Sequence, residues 1–108
     1  MRAGELRELV TIQHKGTPVR DAAGGETITW TTFATRYAAA EPINGREYVA
    51  LRAAQSDISI RFRLRYLAGV DTSMRVLWKG VAYEIVESIN VDARSVETQL
   101  LCRGDANG

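Results

Sequence analysis

Apolar and polar residues alternate one by one along much of this chain, and Gly and polar residues bracket the alternating runs. That is the period of a strand with one buried face, repeated in short segments. The cleanest run is Ile58 to Tyr66, where Ile58, Ile60, Phe62, Leu64 and Tyr66 fall on one side and Ser59, Arg61, Arg63 and Arg65 on the other. Such a strand has a core face and a cationic outer face. Leu9 to His14 predicts a second strand, with Val10 and Ile12 facing inward. Thr27 to Glu41, rich in Thr and carrying Trp30, Phe33 and Tyr37, predicts a long strand with room for a bulge, ending before Pro42.

The C-terminal half reads as two hairpins. A two-residue turn at Lys79-Gly80, with Gly supplying positive φ, sets Trp78 against Val81, Val76 against Tyr83 and Met74 against Ile85, and places Arg75 opposite Glu84 on the outer side. A four-residue loop from Val91 to Arg94 then pairs Ile89 with Val96, Ile85 with Leu100 and Tyr83 with Cys102. Arg103 to Gly108 is polar and predicts a frayed tail. Two segments lack the two-residue period. Lys15 to Glu26, with Gly16, Pro18, Gly24 and Gly25, predicts a long polar loop. Asn44 to Gln55 carries a capping-box start, Asn44 and Glu47, followed by helical spacing, and predicts one short helix over about Gly45–Gln55. The fold class is therefore mainly β: a small antiparallel β-barrel or rolled sandwich of about six strands with one short helix.

Length and charge narrow the picture. At 108 residues the chain makes one domain, residues 1–108, with a single core. No run approaches the roughly 20 apolar residues of a membrane span, and the start lacks a secretion signal, so no membrane is expected and the cytoplasm is the default compartment. The net charge of +1 gives no whole-molecule attraction to polyanions. Catalytic chemistry is sparse. With one histidine, His14, and one cysteine, Cys102, a His/Cys zinc cluster is impossible, and a Cys-His nucleophile pair would have to join those two. Glu84 and Glu87, the nearest carboxylates of interest, fall on opposite faces of a regular strand. No nucleophile elbow or phosphate-cradling loop is present. The expectation is a protein that is not an enzyme and holds neither cofactor nor metal.

Arg61, Arg63 and Arg65 form the one constellation suited to binding, spaced about 7 Å apart along a strand face. They fit a phosphate track, a solvated or ion-paired face, or a subunit interface. Single-strand binders interleave aromatics with the cations, and the aromatics here, Phe62 and Tyr66, fall on the core side. That favours the ion-paired face and the subunit interface, and leaves a small nucleic-acid-binding barrel as the alternative.

Taken together, the ordered landmarks along nearly the whole chain resemble the head-tail joining, or head-closure, proteins of tailed bacteriophages and prophages. The resemblance is carried by Gly4 and Leu6, Val10-Thr11-Ile12-Gln13, Asp21 with Gly24-Gly25 ahead of Trp30, and Ala38, Glu41 and Pro42. It continues through Gly45-Arg46-Glu47, Ile60-Arg61-Phe62-Arg63, Met74-Arg75-Val76, Gly80, Tyr83-Glu84-Ile85, Asn90, Arg94 and Leu100-x-Cys102. Tyr37 stands where the family more often has Trp.

The resemblance implies a structural virion protein of the neck, present in the host cytoplasm before assembly. Its implied partners are the portal and head-tail adaptor proteins on one side and tail proteins on the other. It would form a homo-oligomeric ring that closes the DNA channel after packaging, with DNA as a further contact. Two sets of residues become candidates: Arg61, Arg63 and Arg65 for a subunit or DNA contact, and the loop Thr17, Pro18, Val19, Arg20, Asp21, Ala22, Ala23, Gly24 and Gly25 for a channel or interface role.

Overall fold

A computed structural model describes residues 6–20, 22–43 and 58–105. The helix expected over Gly45–Gln55 lies outside the described residues. Among the described residues eight strands follow one another: β1 (Glu8–Lys15), β2 (Val19–Arg20), β3 (Glu26–Thr27), β4 (Trp30–Pro42), β5 (Ile58–Arg65), β6 (Arg75–Trp78), β7 (Val81–Asn90) and β8 (Glu97–Asp105). Six of them pair antiparallel around a closed barrel in the order β1-β4-β5-β8-β7-β6, and β2 pairs only with β3. Closure gives each barrel strand two neighbours and removes the open sheet edge at which another chain could add a strand.

The alternation read from β5 is realised: Ile58, Ile60, Phe62 and Leu64 are buried, while Ser59, Arg61, Arg63 and Arg65 lie on the outer side. Val10, Ile12, Val76, Ile85, Leu100 and Cys102 complete the core around Phe62. The Phe62 ring meets Trp78 and Tyr83 edge-on, at centroid distances of 5.6 and 5.7 Å, an arrangement that adds to the area term. Thr98 is buried with its hydroxyl accepting the Leu67 N–H at 3.0 Å. Every buried side-chain polar atom among the described residues has a partner.

The first C-terminal hairpin has the expected register, with Trp78 opposite Val81, Val76 opposite Tyr83 and Arg75 opposite Glu84. Both turn residues adopt positive φ, Lys79 at 51° and Gly80 at 78°. That is the twist-matched two-residue turn, and it asks of Lys79 a conformation that glycine or asparagine adopts more readily.

Several expectations are corrected. The second hairpin pairs Ile89 with Gln99, Ser88 with Leu100 and Ile85 with Cys102, not Ile89 with Val96, Ile85 with Leu100 and Tyr83 with Cys102. Its connection is longer than Val91 to Arg94. A 3-10 turn over Val91–Ala93 leads on to Ser95, whose N–H donates to Asn90 Oδ1 at 2.9 Å, and Val96 is left exposed. Val86 is an extra residue in β7, because Ile85 pairs with Cys102 and Glu87 with Leu101. This bulge moves Glu87 onto the outer face with Glu84, where a regular strand would have separated them.

The tail expected from Arg103 is strand as far as Asp105, with Arg103 opposite both Ile58 and Glu84. Tyr66 lies beyond β5 and is partly exposed rather than core, its N–H donating to the Val96 carbonyl at 2.9 Å. The long strand begins at Trp30 and includes Pro42, and Phe33 is its bulged residue, packed against the rim of the core. Finally, the segment Lys15–Glu26 is not loop throughout: Lys15 closes β1, Val19–Arg20 pairs with Glu26–Thr27, and a small hairpin stands out from the barrel.

Candidate interaction surfaces

The candidate residues fall into two separate places. Arg61, Arg63 and Arg65 lie on the outer face of β5, and the described residues between Thr17 and Gly25 lie in the projecting hairpin.

On β5, the strand alternation points three guanidinium groups outward, and the neighbouring strands supply carboxylates. Glu41 of β4 stands directly opposite Arg61, and Glu97 of β8 directly opposite Arg65. Glu41 binds two of the three cations. Arg63 Nε donates to its Oε2 at 2.9 Å, with a second guanidinium nitrogen at the same distance, and Arg61 reaches Oε1 at 3.5 Å. Arg63 also lies 3.8 Å from Glu97. The Arg61 and Arg63 side chains keep only about a fifth of their surface in solvent. Of the three, Arg65 alone is exposed. The strip therefore works first as cross-strand bracing, with two Arg63 nitrogens on one Glu41 oxygen and Arg61 on the other. The alternation of β5 allows an ion-paired face but does not identify its partner. The available signal was Glu41, an outer-face residue of the long strand with the parity to meet the strip.

The second place is the arm. Every described residue from Thr17 to Thr29 is exposed, including the aliphatic Val19 and Ile28. Its root is fixed. The Gly16 N–H donates to the Thr29 carbonyl at 2.7 Å, and a side chain at Gly16 would meet Thr29 Oγ1 at 3.0 Å and its carbonyl oxygen at 3.2 Å. This close backbone approach favours glycine. Just below, the Arg75 guanidinium stacks 4.2 Å from the centre of the Trp30 ring and its Nε donates to Gln13 Oε1 at 2.8 Å, while Lys15 lies 5.8 Å from the same ring. Cation–π contact of this kind ties the first rung of the β1–β4 ladder, Lys15 opposite Trp30, to β6. A groove of about 260 Å³ runs beside it, lined by Lys15, Trp30, Ser73, Arg75 and Glu84 among others. Glu84 is held by Arg103, whose Nε donates at 2.7 Å, and that contact keeps its carboxyl below the usual range. This root cluster was not legible in advance, because it joins three strands distant in sequence.

Among the described residues, no group of three or more His, Cys, Asp or Glu is placed to hold a metal ion. Asp71 is turn chemistry: the Ser73 hydroxyl and N–H both donate to it and lower its pKa. Cys102 is fully buried, and burial pushes its thiol far above the ordinary range, which suits a packing residue rather than a nucleophile. His14 hydrogen-bonds the Thr31 hydroxyl at 2.9 Å and stacks edge-on against Phe33, away from Cys102. No described helix is long and apolar enough to cross a membrane.

Comparison with known proteins agrees with this architecture. Residues 1–104 match the family described as phage head completion protein. The solution structure of protein SF1141 from Shigella flexneri 2a superposes with a TM-score of 0.79 at 24% identity, covering 100% of both chains. A chain from the virion of a native gene transfer agent particle superposes with a TM-score of 0.56 at 14% identity, covering 95% of this chain and 97% of that one. At these identities the likeness is one of fold. No curated protein matches the sequence.

Proposed function

Because the chain belongs to the phage head completion protein family and is a structural protein of the virion, we propose that it acts at the neck. There it joins the portal and adaptor end of the head to the tail and closes the DNA channel once the genome is packaged. The role is mechanical, and the chain works as a ring of identical copies.

The observation that carries this reading is the contrast between a closed barrel and a wholly exposed arm. Among the described residues the barrel has no open sheet edge, which leaves its side-chain surfaces and the arm as means of association there. An arm whose described residues are all exposed adds little buried surface to the fold, and its ordering against neighbours costs roughly 1–2 kcal/mol per residue fixed, which an extensive interface offsets.

Deleting Thr17 to Ala23 tests this directly. The shortened protein is expected to fold with unchanged thermal stability, whereas heads completed with it lose DNA or fail to attach tails. Normal DNA retention and infectivity would count against the proposal.

The nucleic-acid alternative rested on the Arg strip, and the pairing of Arg61 and Arg63 with Glu41 and Glu97 favours bracing instead. Polyanion binding at micromolar affinity that falls steeply with salt would restore it; binding weaker than about 100 µM would remove it.

A further inference from the structure

The groove beside the root of the arm has a charge pattern that the bracing of the barrel does not use. Three segments form its walls: the Lys15–Trp30 rung of the β1–β4 ladder, the turn at residues 72–74 ahead of β6, and the Arg75–Glu84 pair of β6 and β7. Each wall is held in place. The Gly16 N–H bonds the Thr29 carbonyl next to Lys15, the Met74 N–H donates to the Asp71 carbonyl at 3.2 Å, and Arg75 is stacked on Trp30 and bonded to Gln13. A site whose walls are fixed before a ligand arrives loses little freedom on binding it.

Within these walls the acceptors are engaged and donors are left over. The Glu84 carboxylate takes the Arg103 Nε hydrogen bond at 2.7 Å, and Lys15 acts on it only from beyond ion-pair distance. Ser73 directs both its hydroxyl and its N–H to Asp71. The Lys15 ammonium, the Trp30 indole N–H and the Thr72 hydroxyl have no hydrogen-bond acceptor among the described residues, and Lys15 and Thr72 are exposed. Lys15 thus gives the groove a positive charge that no described carboxylate pairs, beside the buried, apolar Met74. An ammonium in that position is a point-charge receptor for an oxyanion.

We propose that this groove binds a carboxylate of an extended acidic segment in a partner virion protein, with Lys15 taking the charge, the Thr72 hydroxyl and the Trp30 indole N–H taking the oxygens, and Met74 and the Trp30 ring taking the side-chain methylenes. The inference rests on the neck reading above and supplies the chemistry of a partner met at the end of the barrel where the arm departs. A nucleic-acid strand fits less well. Arg75 already stacks on the Trp30 ring that a base would use, Glu84 stands in the wall, and the net charge is only +1.

The test is a titration of the purified full-length protein with an end-blocked peptide of alternating Glu and Ala, followed by amide and indole NMR. The Trp30 indole, Thr72 and Ser73 signals are expected to shift together with a Kd on the order of 1 mM or tighter. The Trp78 indole, which donates to Glu8 Oε1 at 3.1 Å, should stay in place as the internal reference. Replacing the peptide by its Gln-Ala counterpart, or the protein by Lys15→Met, should each weaken binding about tenfold or more. Lys79→Met, which alters the lysine over Trp78 instead, should bind as the unmodified protein does. Lys15 is exposed, so the unfolding midpoint of Lys15→Met should not move. Shifts that are absent at about 10 mM peptide, that the Gln-Ala peptide reproduces, or that Lys15→Met leaves intact would overturn the site. Tighter binding of an oligothymidylate of equal charge would make the groove a phosphate track and also overturn it. Because binding is read on the isolated protein, its failure removes the groove alone, and the neck reading is judged separately by the arm deletion.

Discussion

Strand β5 and the arm are both rich in polar residues and both were candidates for contact, yet the barrel treats them oppositely. In β5 each apolar side chain is buried, and two of its three arginines are braced by carboxylates of flanking strands. In the arm no described side chain from Thr17 to Thr29 is buried, and β2 and β3 pair only with each other. One segment has its apolar side chains buried and most of its charges matched by flanking strands, and the other keeps its described side chains at the surface. Polar composition alone does not mark a binding surface; what matters is whether the fold has already supplied the counter-groups.

That contrast predicts unequal responses to mutation. The largest effect is expected at Phe62, fully buried between Trp78 and Tyr83. Phe62→Ala should cost about 3–5 kcal/mol in urea unfolding, a large share of the total stability of a domain this size. Glu41→Ala comes next, because it removes the carboxylate that Arg61 and Arg63 share on a largely buried strand face; about 1 kcal/mol is expected, and a cost equal to that of an ordinary surface change would mean the strip is merely solvated. At the Lys79-Gly80 turn, Gly80→Ala should lower stability by about 1 kcal/mol because φ is +78°, whereas Lys79→Asn should be neutral or slightly stabilising. Val19→Asp in the arm should change the unfolding midpoint least, within about 0.5 kcal/mol.

Mild acid gives a smaller, directional test. Glu84 is held below its ordinary value of 4.5 mainly by the hydrogen bond from Arg103, and Asp71 below 3.8 by Ser73. A carboxylate lowered on folding contributes stability that is present above the unfolded value and lost as pH falls toward the folded one. The melting temperature should therefore decline below about pH 4.5. Glu84→Gln should remove part of that decline, and salt should weaken it, since the Arg103 pair is nearly half exposed. An identical decline in Glu84→Gln would assign the acid response elsewhere.

The barrel was legible in the sequence wherever local pattern determines structure. Single-residue alternation marked β5, and a Gly at the second turn position fixed the β6–β7 register. The β7–β8 register was missed because two features invisible to alternation intervene: the Val86 bulge and a connection held by the Asn90 side chain bonding Ser95. Each shifts the pairing without disturbing the apolar pattern of either strand. Tyr66 continued the alternation of β5 one residue past the point where the barrel ends, so its period predicted burial that geometry does not provide. Of the candidate site, the Arg strip and the polar segment were visible as residue types. What the strip does was not, because Glu41 and Glu97 come from strands 20 or more residues away.

Residue-resolved amide hydrogen exchange, in the free protein and in completed heads, tests the central claim most directly. Amides of β4, β5 and β8 are expected to be strongly protected in both states, and those of Val19–Thr27 to exchange freely in the isolated chain and become protected on assembly. An arm as protected as the barrel in the free protein, or unprotected in the completed head, would contradict its assignment as the joining element.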